Sequence, residues 1–402
     1  MDFTFSEEQR AATEAAQGVF AGVAPDAVPS PALTRGAVAD GCDRPLWQRL
    51  AAADLLSLPL DEEYGGAGLD TIALCLVLRE SAKVLARVPL LENTAAAMTV
   101  QTHGSPELKT ELLARAGRGE IVLTVAAHGR TGHDAAELAV TARRDERGGT
   151  WILDGVQTAV PWAYDADFAL VPARAEARAP ARTEVGETGG RTVLALVPLP
   201  ADGVVLAEQL STTGERLAEL RLESVRVDGR YVLDAAGAWE RLYEVLVTGT
   251  CALALGLGEA VLDMTSRYTS RREQFGFPLA TFQAVAVQAA DRYVDLRAMA
   301  ATLWQAAWRL STEAPGMAGT ASGTSRGALP TAGDVAVAKI WAAEGVRRVV
   351  QTAQHLHGGF GADVDYPLHR YHAWAKHLEL SLGPASAHEE ALGDLLAAHP
   401  LG

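Results

Sequence analysis

The spacing of apolar and polar positions changes character twice along the chain. Residues 1 to about 120 carry apolar positions at helical intervals. Behind Phe3 and Phe5, Ser6-Glu7-Glu8-Gln9 predicts a capped helix start with acids in its first turn. Asp43-Arg44-Pro45-Leu46 predicts a second start, with Asp43 as the cap. The run Leu55 to Asp70, LLSLPLDEEYGGAGLD, interrupts the pattern as a loop turning on Gly65, Gly66 and Gly68. Thr71 to Leu85 and Pro89 to His103 then predict buried helices with Ala-rich faces.

Residues 121 to about 232 show short β-type runs instead. These are Ile121–Val125, Leu138–Arg143, Trp151–Leu153, Phe168–Val171, Val193–Val197, Val204–Leu206 and Ser224–Val227. Asp145 to Gly149 predicts a hairpin turn, and Arg174 to Arg191 a polar loop. Helical spacing returns from 233 to 402. It predicts helices over Trp239–Ser270, Thr281–Leu310, Asp334–Leu356 with Asp334 as cap, Ala373–Leu382 and Ser386–Ala398. Ser311 to Gly333 reads as a flexible connection. The expected class is α+β, with domains at 1–120 (helical), 121–232 (β) and 233–402 (helical).

Composition narrows the function. The chain has 402 residues, enough for a sizeable core, and a formal charge of −15 with no basic cluster, which argues against a nucleic-acid partner. No uncharged apolar run approaches about 18 residues, and MDFTFSEEQR is unlike a secretory signal, so no membrane span is expected. Cys42, Cys75 and Cys251 are scattered and odd in number, which reads as reduced core residues in a cytoplasmic protein. The histidines lack metal-ligand spacing, so no metal site is expected.

Two stretches carry candidate chemistry. In Ser270 to Asp291, Arg271, Arg272 and Gln274 place donors beside the turn Phe275-Gly276-Phe277-Pro278. A guanidinium fork suits a phosphate or pyrophosphate, although the same arginines also balance a helix dipole. In His355 to Gly361, HLHGGFG, glycines permit close approach of a ligand, and equally they stop a helix.

Together these stretches resemble acyl-CoA dehydrogenases. Arg272, Phe275, Gly276, Pro278, Leu279, Phe282 and Gln283 match R-x-x-F-G-x-P-L-x-x-F-Q. His355, Gly358, Gly359 and Gly361 match Q-x-x-G-G-x-G, with His355 at the glutamine position beside Gln354, and Tyr366-Pro367 downstream. Leu60 to Gly66 resembles the family's P-x-x-Y-G-G-x-G loop. The resemblance implies an N-terminal helical domain, a β-barrel-like middle domain and a C-terminal four-helix bundle. It implies FAD as cofactor, with Arg272, Gln274, Phe275, Phe282, Gln283, His355, Gly358, Gly359 and Gly361 holding the adenosine and pyrophosphate side across a subunit contact.

The chain departs from that family where the reaction takes place. The T-E-P-x-x-G-S-D strand-loop becomes Thr124 to Asp134, with Asp134 as a stand-in for the last position. The W-I-T that touches the flavin ring becomes Ala159-Val160-Pro161, although Trp162 and Tyr164 stand close by. Proline offers neither N–H nor hydroxyl. The proton-abstracting glutamate is replaced at both positions the family uses, by Leu382 and Leu246. The neighbouring carboxylates Glu379 and Glu244 are the candidate replacements for the base, although a paired or solvated surface role is the commoner one for such groups. The ending Leu382-Gly383 to His388 resembles actinobacterial subunits that work in mixed α2β2 tetramers. The resemblance thus implies a subunit completing the FAD site of a glutamate-bearing partner. An acyl-CoA or carrier-bound acyl thioester is the implied substrate and an electron-transfer flavoprotein an implied partner. A self-sufficient flavin oxidase or monooxygenase, and a non-catalytic scaffold, are the alternatives.

Overall fold

The computed structural model describes residues 4–25, 31, 34–131, 137–145, 149–176, 191–312 and 329–399. Residues 146–148 of the expected Asp145–Gly149 turn, most of the 174–191 and 311–333 connections, and Asp134 lie outside the described residues.

Five helices come first: α1 (Glu7–Phe20), α2 (Arg44–Ala52), α3 (Thr71–Ala82), α4 (Leu90–His103) and α5 (Pro106–Gly117). Their starts follow the sequence. The Gln9 amide N–H donates to Ser6 Oγ at 3.2 Å, and the Ser6 N–H donates to Gln9 Oε1 at 3.0 Å, closing a capping box. The Leu46 N–H donates to Asp43 Oδ1 at 3.0 Å. In the loop before α3, a Cβ on Gly66 would stand 2.0 Å from the Leu60 carbonyl oxygen, so only glycine fits there.

A mixed eight-stranded sheet follows: β1 (Leu123–Val125), β2 (Val140–Arg144), β3 (Thr150–Pro161), β4 (Phe168–Ala175), β5 (Thr192–Pro198), β6 (Val204–Leu210), β7 (Arg216–Asp228) and β8 (Val232–Leu233). The order is β6-β7-β3-β2-β4-β5-β8, with β1 parallel to β4. β3 and β7 extend far beyond the expected Trp151–Leu153 and Ser224–Val227. In β7 the outward positions Arg221 and Glu223 are polar and only alternate residues such as Leu220 and Leu222 are buried, which hides the strand from a search for apolar runs. The sheet has a core of its own, distinct from the one that the helices share.

The C-terminal part comprises α6 (Ala238–Arg271), a two-stranded hairpin of β9 (Glu273–Gln274) and β10 (Phe277–Pro278), α7 (Gln283–Thr312), α8 (Thr331–His357), α9 (Leu368–Leu380) and α10 (Ala385–Ala398). By length and composition α6 passes as a membrane span, yet most of it is buried among the other helices. At Gly256 its backbone meets α3 so closely that a Cβ would lie 1.9 Å from the Arg79 carbonyl oxygen.

Two expected boundaries are corrected. Pro330, not Asp334, occupies the N-cap of α8; Asp334 sits inside the first turn and pairs with Arg309 at 3.4 Å. The helix expected over Ala373–Leu382 runs from Leu368 to Leu380, because Pro367 starts it earlier and Leu382 takes φ +57°, which no helix accommodates.

Candidate functional site

A cavity of about 390 Å³ lies between the helices and the sheet. Leu246 on α6 and Leu382 after α9 both line it, although 136 positions of sequence separate them. Pro161 and Trp162 at the end of β3 form another wall. Three non-glycine residues around the cavity, Ala159, Trp162 and Leu382, hold φ values of +50°, +57° and +57°. Such conformations concentrate where surrounding structure over-determines the backbone, as at functional sites.

The loop after α9 is held from three sides. His388 Nε2 on α10 and the Tyr243 hydroxyl on α6 both donate to the Leu382 carbonyl, at 2.9 and 2.8 Å. This gives the L-G-x-x-x-x-H ending a physical reason. A Cβ on Gly383, at φ +98°, would crowd the same imidazole at 3.2 Å. Burial pushes His388 down to about 4, against the hydrogen bond to Leu382, so the ring is a neutral donor. Below the loop, the fully enclosed Lys339 ammonium on α8 donates to the carbonyls of Leu378 (2.7 Å) and Glu379 (3.2 Å), capping α9 with a positive charge. Burial lowers Lys339 to about 8.

The carboxylates singled out from the sequence lie elsewhere. Glu379 pairs with Lys376 at 2.6 Å and Glu244 with Arg241 at 3.9 Å, and neither lines the cavity. The ionisable groups that do line it include Glu92 on α4, His128 after β1 and His377 on α9. Burial pushes Glu92 up to about 7, helped by Glu215 and opposed by a hydrogen bond from Trp162. Burial holds His128 and His377 down to about 4; Lys339 adds to the effect at both, and His128 and Arg87 add to it at His377. These three side chains line the cavity and are half-buried. Nothing in the sequence marks them, because helical periodicity does not tell which inward face meets a void.

The second candidate region is on the outside. Phe275 and Gly276 take φ +54° and +82°, the two left-handed positions of a tight hairpin turn pairing Gln274 with Phe277. The Phe275 side chain is 90% exposed and Phe277 62%; Phe275 meets Phe282 edge-on at 6.4 Å. Arg272 reaches a groove of about 820 Å³ together with Arg271, Tyr268, Phe360 and Tyr366. Tyr268 stacks on His357 at 4.2 Å and on Phe360 at 5.6 Å, and His357 Nε2 lies 3.0 Å from the Tyr366 hydroxyl. Two motifs about 80 residues apart therefore converge on one groove. Gln274 and Gln283 lie exposed beside the hairpin. His355, Gly358 and Gly359 are exposed at the C-terminal end of α8, while Gly361 is buried against the Gln354 amide. Arg271 and Arg272 form no ion pair among the described residues.

Comparison with known proteins fits this geometry. The acyl-CoA dehydrogenase N-terminal domain matches residues 6–120 and the C-terminal domain residues 239–394. Acyl-CoA dehydrogenase FadE27 of Mycobacterium tuberculosis is 35% identical over the whole of both chains. A chain of the ChsE4-ChsE5 complex of Mycobacterium tuberculosis superposes with TM-score 0.84 at 32% identity, covering 100% of each chain. A variant of the Tcur3481-Tcur3483 steroid ACAD gives 0.81 at 35%, covering 98% of each. Domain matches, full-length identity and superposition agree: this chain belongs to the acyl-CoA dehydrogenase family, whose members are FAD-dependent oxidoreductases.

Proposed function

We propose that the chain is a subunit of a heteromeric acyl-CoA dehydrogenase and completes the FAD site of a glutamate-bearing partner. The carrying observation is that both positions the family uses for its base, Leu246 and Leu382, face the same cavity as leucines. Neither can accept a proton. The division into domains at 1–120, 121–232 and 233–402 belongs to this reading.

The residues fit the cofactor unequally. On the outer edge, the unpaired guanidinium of Arg272, the open surface over Gly276, Gly358 and Gly359, and the groove walled by Tyr268 and Phe360 suit a pyrophosphate and an adenosine. In the cavity, Pro161 has no N–H to offer a flavin ring, and the Ala159 amide N–H is already given to Gln209 Oε1 at 2.8 Å. Flavin supplies hydride acceptance when bound; this chain's share is to hold its phosphate end from outside. The exposed apolar residues Phe275, Phe277, Val287 and Val294 provide a surface for that contact.

The names of two relatives, ChsE4-ChsE5 and Tcur3481-Tcur3483 steroid ACAD, join two proteins each, and the second bears the word steroid. The proposed substrate is accordingly an acyl-CoA or carrier-bound acyl thioester, with a steroid-derived acyl group foremost, and an electron-transfer flavoprotein takes the electrons. Free, buried Cys75 and Cys251 accord with a cytoplasmic setting.

The test is the visible spectrum and native mass of the chain purified alone and after co-expression with a glutamate-bearing homologue from a neighbouring gene. A colourless chain that gains FAD and thioester dehydrogenation only in the complex supports the proposal. A yellow homo-oligomer with one FAD per subunit overturns it and favours a self-sufficient flavin oxidase or monooxygenase. A chain that binds no flavin in either form leaves a scaffold.

A further inference from the structure

Buried polar groups are satisfied by protein, water or ligand. The wall around the cavity holds several that the protein leaves open. The His377 imidazole makes no hydrogen bond among the described residues, and His128 Nδ1 is enclosed without a partner among them. Glu92 forms no ion pair among the described residues and lines the cavity together with Trp162. The other charges are matched: Glu215 lies 3.8 Å from Arg87 and accepts from the Thr213 hydroxyl at 3.3 Å, and Lys376 is held by Glu379. The remaining lining is hydrocarbon, including Leu78, Leu91, Leu246, Leu253 and Leu382.

Below pH 7, where Glu92 is protonated, the wall is therefore short of unmatched charge among the described residues yet rich in neutral hydrogen-bonding groups. An anion entering it would lose its hydration without a free cation to meet, and a purely hydrocarbon guest would leave the imidazoles unpaired. We propose that this cavity is a binding site for an uncharged, largely hydrocarbon molecule bearing a hydroxyl or keto oxygen, which His377, His128 and Glu92 hold. The ligand is bound and not transformed. The site stands apart from the outer groove, so it exists whether or not the chain completes a partner's flavin site.

Trp162 and Trp374 line the cavity and report on it. Tryptophan fluorescence of the full chain, in the assembly in which it purifies, is titrated at pH 6, where Glu92 is protonated and decanoate is still ionised, with 1-decanol, decane, decanoate and decanoyl-CoA. A Trp374→Phe variant assigns the signal. The expected result is that 1-decanol binds about fivefold or more tighter than decane, and about tenfold or more tighter than decanoate. His377→Phe should remove the preference for the alcohol and leave decane within about twofold. If that variant does not fold, the wild-type series alone decides. Equal affinity for decanol and decane, tighter binding of decanoate, or no binding of decanol overturns the proposal. Tight binding of decanoyl-CoA with none of decanol also overturns it, because recognition would then lie with the nucleotide.

Discussion

Removing the Phe275 side chain should separate assembly from folding. This ring is 90% exposed at the tip of the hairpin, and its contact within the chain is edge-on with Phe282. Nearly all its apolar surface is thus available to a second chain. Fully burying such a side chain is worth about 2 kcal/mol, which corresponds to about 30-fold in a dissociation constant. The isolated Phe275→Ala chain should melt within about 1 °C of the parent, since almost no buried surface is lost. Phe275→Asn sharpens the test. Asparagine tolerates the φ of +54° better than phenylalanine, so the hairpin should gain stability while the complex loses it. Affinity is measured by calorimetric titration of the partner, or by dilution if the chain associates with itself. In an isologous contact each interface holds the residue twice and the loss doubles. Unchanged assembly in both variants refutes the reasoning. So does an equal loss of stability in the isolated chain, which would place the ring's role with Phe282.

Two further outcomes follow from the helical core. Lys339 is lowered by burial from 10.5 to about 8, so between those values the unfolded chain holds more protons and stability rises with pH. The stability of the parent minus that of Lys339→Met should grow by about 3 kcal/mol from pH 7.5 to 10.5 in urea unfolding, a comparison in which the thiols and tyrosines largely cancel; a flat difference contradicts it. Glycine-to-alanine changes should have opposite signs in two helices. Gly256→Ala must push α6 from the Arg79 carbonyl and cost about 2 kcal/mol, whereas Gly393→Ala on α10 meets nothing within 4 Å and should gain up to about 1 kcal/mol, both by thermal unfolding.

The sequence displays what is encoded locally. Ser6 and Asp43 announce their helices because a cap uses residues three positions apart. The Phe275-Gly276 turn is visible for the same reason. The long strand β7 is half hidden because its outer positions are polar, and β3 because Asp154, Gly155 and the buried Gln157 interrupt its apolar run. The α9 boundary is missed because Pro367 reads equally as an end and as a beginning. The family likeness made Leu246 and Leu382 conspicuous as absences. Glu92, His128, His377 and Lys339 left no trace, since their surroundings come from α4, β1, α8 and α9 and exist only once the chain has folded.

Under the proposed function, the binding of the Leu382 carbonyl by His388 and Tyr243 bears on what the loss of a base leaves behind. The backbone that would present a side chain to the cavity is fixed by donors on α6 and α10, and the identity of residue 382 plays no part in either bond. A carboxylate at position 382 would be presented by the same two bonds that now present leucine. The empty role is kept in working order by residues that have other reasons to persist. Such a subunit is free to drift in the groups that touch substrate, while the backbone that presents residue 382 to the cavity stays held by Tyr243 and His388.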